Sequence, residues 1–178
     1  MNDQTGLAIT KLTTTYSSSQ DRICLAMASA DGRSLALWLT QRLANRFVDQ
    51  ICNWLKSNAA GVTQTALPET AAAIASSMAQ GRAVANIAPT PPVNLEHRPN
   101  QGLIENINCK LARGGAQLTF SIEGGREVAT TTYSADAMRQ WLHMLHRAYV
   151  QAEWPLAAWP HWFLDAVSDQ PPGERQLH

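Results

Sequence analysis

Charge is scarce in this sequence. Lys, Arg, Asp and Glu supply 16% of the 178 residues, where an average soluble domain has about 25%. The 14 basic and 14 acidic side chains cancel. Without a basic surplus there is little to displace counterions from phosphates, which argues against nucleic acid as a partner. Long apolar runs are missing too. None approaches the ~18 residues that span a bilayer, so no membrane insertion is expected. Residues Met1 to Ala8 hold neither a basic nor an apolar stretch of the kind a secretion signal needs, and the expected location is the cytoplasm. Only three cysteines occur, Cys24, Cys52 and Cys109. Odd in number and far apart, they read as free buried thiols in a reducing compartment.

Catalytic signatures are equally sparse. The chain has no glycine-rich phosphate loop, no dinucleotide fingerprint, no nucleophile elbow, no zinc-protease helix and no calcium loop. Gly114-Gly115 and Gly124-Gly125 are flanked by alternating segments and read as hairpin turns. His143 and His146 are three apart on a helical pattern, but no carboxylate or cysteine nearby completes a tetrahedral set, so no metal and no cofactor are expected. Cys109 falls on the apolar face of its strand, where burial raises a thiol's pKa and quiets it. No catalytic residue emerges.

What the sequence does contain is alternation followed by helical periodicity, twice. Residues 6–17 form a Thr-rich extended segment. Residues 22–28 place Ile23, Leu25 and Met27 on one face, Asp31-Gly32 supplies a tight turn, and residues 34–39 return with Leu35, Leu37 and Leu39 aligned. Thr40 then caps a helix whose stripe is Leu43, Phe47, Val48, Ile51, Trp54 and Leu55. Later, residues 103–112, 117–123 and 126–133 read as three strands, and Ser134 caps a helix carrying Met138, Trp141, Leu142, Leu145 and Tyr149. The fold class expected is α+β: antiparallel β-meanders with amphipathic helices on one face, from internal duplication of a βββα unit. The units span 1–58 and 103–153. Between them lies an Ala/Pro-rich connector, 59–102, with a short helix from Pro68 whose thin stripe is Ile74, Met78 and Val84, then an extended stretch with Pro89, Pro91, Pro92 and Pro99. A Trp-rich segment and polar tail occupy 154–178, all within one compact domain.

Six tryptophans against three tyrosines and three phenylalanines is the most informative excess. Trp54 and Trp141 fall on core stripes. Trp38 instead faces away from the leucines of its strand, beside Ala36 and opposite Cys24, Ala26 and Ala28. A hairpin apolar on both sides needs a cover on the second side. The connector helix, the C-terminal aromatics or another chain could supply it. Trp38, Trp154, Trp159, Trp162 and Phe163 are therefore candidate interface residues, since tryptophan is enriched at binding hot spots. The function expected is a non-enzymatic protein-binding, assembly or adaptor role, with a second copy or a foreign protein as partner. The alternative is an enzyme or small-ligand binder with a pocket between the two halves, its polar groups drawn from Arg42, Arg46, Glu105, His143 and His146.

Overall fold

The computed structural model describes residues 6–59, 68–95 and 100–168; Pro99 and the tail from 169 onward lie outside the described residues. Strands β1 (Leu7–Ser17), β2 (Arg22–Ser29) and β3 (Ser34–Leu39) lead into helices α1 (Gln41–Ala59) and α2 (Pro68–Ala85). Strand β4 (Asn100–Leu103) is separated from β5 (Asn106–Ala112) by Ile104 and Glu105 alone. Then come β6 (Gly115–Ile122), a short 3-10 turn (Glu123–Gly125), β7 (Arg126–Tyr133), α3 (Ala135–Gln151) and α4 (His161–Ser168).

Local chemistry accounts for the boundaries. Gly32 has φ of 85°, which a residue with a Cβ rarely adopts. The turn it permits lets the Ser29 N–H donate to the Arg33 carbonyl at 2.9 Å. Thr40 Oγ1 accepts from the Leu43 N–H at 3.3 Å and Ser134 Oγ from the Ala137 N–H at 3.2 Å, each satisfying a donor that the first helical turn leaves free.

The strands form a single seven-stranded sheet in the order β4-β3-β2-β1-β7-β6-β5. Within each meander the pairing is antiparallel, but β1 pairs β7 and β3 pairs β4 in parallel. The sheet is therefore mixed, which corrects the expectation of antiparallel meanders alone. The first strand of one meander lies beside the last strand of the other and runs in the same direction. The second parallel pair arises because residues 100–102, expected in the connector, join Leu103 in a strand.

Although β4 and β5 stand at opposite ends of that strand order, they are nearly continuous in sequence. Ile104 N–H donates to the Trp38 carbonyl on β3 and Glu105 N–H to the Ser121 carbonyl on β6, each at 2.9 Å. One stretch of chain thus stitches both edges, and the sheet curls onto itself. Gly102 sits at the closure: a Cβ there would lie 2.9 Å from Ile122 Cγ2, so only glycine lets β4 approach the end of β6 this closely. Curling removes most of the exposed edge that an open sheet would present.

Paired residues share a face, so the register assigns every side chain to the inside or outside of the curl. Leu12, Thr14 and Tyr16 join Met27, Leu25 and Ile23, then Leu35, Leu37 and Leu39, on the inner face. Ile107, Phe120 and Ala129 continue it across the second meander. Ile23, Leu25, Met27, Leu39, Leu118 and Phe120 are wholly buried, each stabilising by about 1.5–3 kcal/mol relative to exposure. Helix α1 crosses from the end of β3 to the end of β5, where Trp54 Nε1 donates to the Ala112 carbonyl at 3.1 Å. Helix α3 reaches β1 through Trp141 Nε1, which donates to Thr14 Oγ1 at 3.0 Å.

Helix α2 packs on α1, α3 and α4 as an outer layer. Its orientation overturns the sequence expectation. Ile74 and Met78 are 58% and 63% exposed, while Ala72, Ser76, Gln80 and Ala83 face inward. Hydrogen bonds rather than apolar bulk seat it: Gln80 Nε2 donates to the Arg139 carbonyl at 2.9 Å, Gln140 Nε2 to the Ala83 carbonyl at 3.0 Å, and Arg139 to the Ser76 carbonyl at 3.2 Å.

The outer face of the β2–β3 hairpin receives a cover that the sequence did not single out. Val93 is buried, and its N–H donates to Thr13 Oγ1 at 2.8 Å on the face shared by Ala26 and Ala36. The Pro-rich stretch therefore lies over the small side chains there. Helix α2 and the C-terminal aromatics pack with the helices of the opposite face.

Candidate functional site

The five candidate interface residues part company. Trp154, Trp159, Trp162 and Phe163 are 7%, 4%, 6% and 0% exposed. They form a ring cluster with Tyr149 and His146: Tyr149 stands edge-on to Trp154 at 5.1 Å and to Trp159 at 5.3 Å, and Trp159 lies 4.6 Å from Phe163. Trp154 Nε1 also donates to Asp21 at 3.1 Å, beside the Tyr16 hydroxyl at 2.9 Å, which ties the β1–β2 turn to the C-terminal segment. Trp54 and Trp141 are buried as well, which leaves Trp38 as the half-exposed tryptophan.

The five candidate pocket residues do not converge. Arg42 and Arg46 are exposed on α1. His143 and His146 are half-buried on α3, where His146 stands edge-on to Trp159 at 5.1 Å. Burial, and secondarily the charge of His143, pushes His146 down to about 4, so it is neutral in the folded protein. Glu105 lies apart, exposed in the junction between β4 and β5. Among the described residues no group of three or more His, Cys, Asp or Glu could hold a metal ion. The cysteines are free, with Cys24 and Cys52 buried and Cys109 half-buried. Burial pushes the thiols of Cys52 and Cys109 up to about 12 and about 11, so neither is a thiolate at neutral pH. No helix among the described residues is long and apolar enough to cross a membrane.

The feature that gathers functional groups is the place where the curled sheet fails to close. Strand β6 stops at Ile122, whereas the composite β4–β5 line continues back to Asn100. Beyond the Glu105–Ser121 hydrogen bond, β4 pairs with β3 on one side and with no strand among the described residues on the other. Two cavities occupy this seam. The inner one, about 540 Å³, has a floor of Leu7, Leu35, Leu37, Ile122 and Val128, with Arg33, Gln101, Arg126 and Glu127 around it. The outer one, about 450 Å³, is bounded by Gln101, Leu103, Glu105, Ile122, Glu123 and Arg126. Gln101, Ile122 and Arg126 belong to both.

Each element sets one part of the seam. Consecutive residues of a strand point their backbone groups to opposite sides. Ile104 bonds β3 and Glu105 bonds β6, so the N–H and C=O of Gln101 and Leu103 turn toward the seam. Their side chains lie on the outer face, where Leu103 pairs with Trp38 and is 41% exposed, and Trp38 Nε1 reaches Gln101 Oε1 at 3.5 Å. Arg33 is fixed by Asp31, 2.8 Å from its Nε. The Ser29 hydroxyl, then Arg33, hold the Asp31 carboxyl well below its usual range, at about 2. Arg126 and Glu127 are exposed and make no ion pair among the described residues. The inner cavity thus offers apolar volume rimmed by Arg33, Arg126 and Glu127, and the outer one sets Glu105 and Glu123 beside Arg126.

Sequence reasoning found Trp38 and Glu105 but not Arg33, Arg126, Gln101 or Leu103. A signal existed for two of them. Arg33 follows the turn glycine before β3, and Arg126 follows the turn glycines before β7, so they occupy matching positions in the two meanders. No family model, curated protein or solved structure matches the chain.

Proposed function

We propose that this is a non-catalytic binding protein that engages another protein along the β4 seam. The observation supporting this reading is a strand edge left without a partner strand among the described residues, above a cavity with an apolar floor and beside the half-exposed Trp38 and exposed Leu103. Unpaired edges are templates for pairing with another chain, and a partly exposed Trp beside Leu is the kind of anchor that interfaces use. The thiols suit a reducing, cytoplasmic setting, and the partner is a foreign protein or a second copy. The duplication of a βββα unit belongs to the same reading. Its support is that each meander is followed by a helix with a hydroxyl cap and that the two lie side by side in the same direction. Duplication would place the seam where the second unit rejoins the first.

A test is native mass spectrometry on protein purified gently from its own cells. The expected result is a stoichiometric bound chain that Leu103→Arg removes and that Ile74→Arg, on the outward face of α2, leaves in place. A bound chain that survives Leu103→Arg and is lost with Ile74→Arg would contradict the reading. The inner cavity favours a second reading, a small amphipathic ligand held between the halves. A retained mass below about 1 kDa, with no bound chain, would support that instead.

A further inference from the structure

We infer that the partner contributes an extended peptide segment that adds to β4 as a strand, running antiparallel to it and prolonging the line of β6. This rests on the reading of the seam as the binding site and specifies what enters it. Strands β5 and β6 are antiparallel neighbours from Asn106–Ser121 to Ala112–Gly115. Strand β4 continues the line of β5, with Ile104 and Glu105 as the only residues between them, while β6 ends. The unfilled position beside β4 is therefore the one a longer β6 would have taken. The N–H and C=O groups of Gln101 and Leu103 face that position. They are spaced two residues apart, about 7 Å, a repeat matched by another strand's backbone.

Side-chain preference follows from alternation. Every second residue of the added strand points into the curl, toward Leu7, Leu35 and Ile122, and an inner cavity of about 540 Å³ accepts a large apolar side chain. The intervening residues lie outside beside Leu103 and Trp38. Topology fixes the direction, because the added strand takes the place of a longer β6, which runs antiparallel to the β4–β5 line. It enters at the Glu105 end of β4 and leaves at the Asn100 end.

The test pans the full chain against a phage-displayed library of random decapeptides, then scans a recovered peptide with single backbone N-methylations. The expected result is a peptide with alternating apolar residues whose affinity falls at least tenfold on methylating every second amide, with little change at the amides between. Hydrogen exchange at the Gln101 and Leu103 amides should slow on binding. Peptides that protect the seam without the alternating methylation pattern would overturn strand addition and leave the seam reading intact. The same holds for recovery of no peptide from a protein that retains a small molecule in the inner cavity. Peptides that bind while leaving Gln101, Leu103 and Arg126 unperturbed would overturn both. Slow exchange at Gln101 and Leu103 in the free protein would overturn the inference as well, because the edge would already be paired by the chain itself.

Discussion

Arg139 is 3% exposed and makes no ion pair among the described residues. Its guanidinium instead donates to the carbonyls of Ser76 and Leu55, at 3.2 and 3.3 Å, and lies 5.7 Å over the Trp162 ring. Burial pulls its pKa down from the usual arginine range. Removing a buried charge from water is expensive, and an apolar residue of similar size avoids that cost. Arg139→Met should therefore stay within about 1 kcal/mol of the parent, while Arg139→Ala, which also loses packing, should cost about 2–3 kcal/mol. Urea denaturation of the two variants checks this, and equal losses would contradict it. His146 gives a pH prediction with a definite sign. Its folded pKa of about 4 lies below the ordinary 6.5, so the unfolded chain binds the proton first. The contribution of neutral His146 is complete above pH 6.5 and is lost as pH falls toward 4, by up to about 3 kcal/mol. Comparing urea midpoints at pH 7.5 and 4.5 should show a smaller drop for His146→Gln than for the parent.

At the scale of elements, the Gly102–Ile122 contact is where closure can be probed. Gly102→Ala places a Cβ against a branched methyl that cannot swing away, and should cost about 1–3 kcal/mol. Ile122→Ala removes the obstacle, so the double variant should be less destabilised than the sum of the singles, with a coupling of about 1 kcal/mol. Additive losses would mean that β4 and β6 do not touch. Elements built from local pattern were legible in the sequence. The hairpins, α1, α3 and both hydroxyl caps follow from alternation, turn glycines and helical spacing within a dozen residues. Strand β4 was not legible. Asn100-Gln101-Gly102-Leu103 has no alternating apolar pattern, and its partner β3 lies more than sixty residues earlier. The packing partners of Trp154, Trp159 and Trp162 were hidden for a related reason. Prolines break the periodicity around them, and the rings find cover only when α4 folds back near α3. Helix α2 shows the opposite failure: its large residues suggested the inner face, yet small residues and hydrogen bonds determine how it docks.

At the scale of the molecule, two meanders of the same sense share one sheet, and a single stretch, residues 100–112, draws its edges together. That arrangement leaves little strand edge exposed to edge-to-edge association. It also explains why the remaining gap gathers Arg33 from the β2–β3 turn, Gln101 and Leu103 from β4, and Arg126 from β7. The seam exists because β6 is shorter than the composite strand it pairs with. Extending β6 would close it. Nuclear Overhauser spectroscopy on isotope-labelled protein tests this arrangement most directly. The account predicts cross-peaks from Gly102 Hα to the Ile122 methyls and from the Glu105 amide to protons of the Ser121 region, with no contacts from the Gln101 and Leu103 amides to a strand other than β3. Absence of the Gly102–Ile122 cross-peaks, or a second strand partner for Gln101 and Leu103 on the side away from β3 in the free protein, would contradict it.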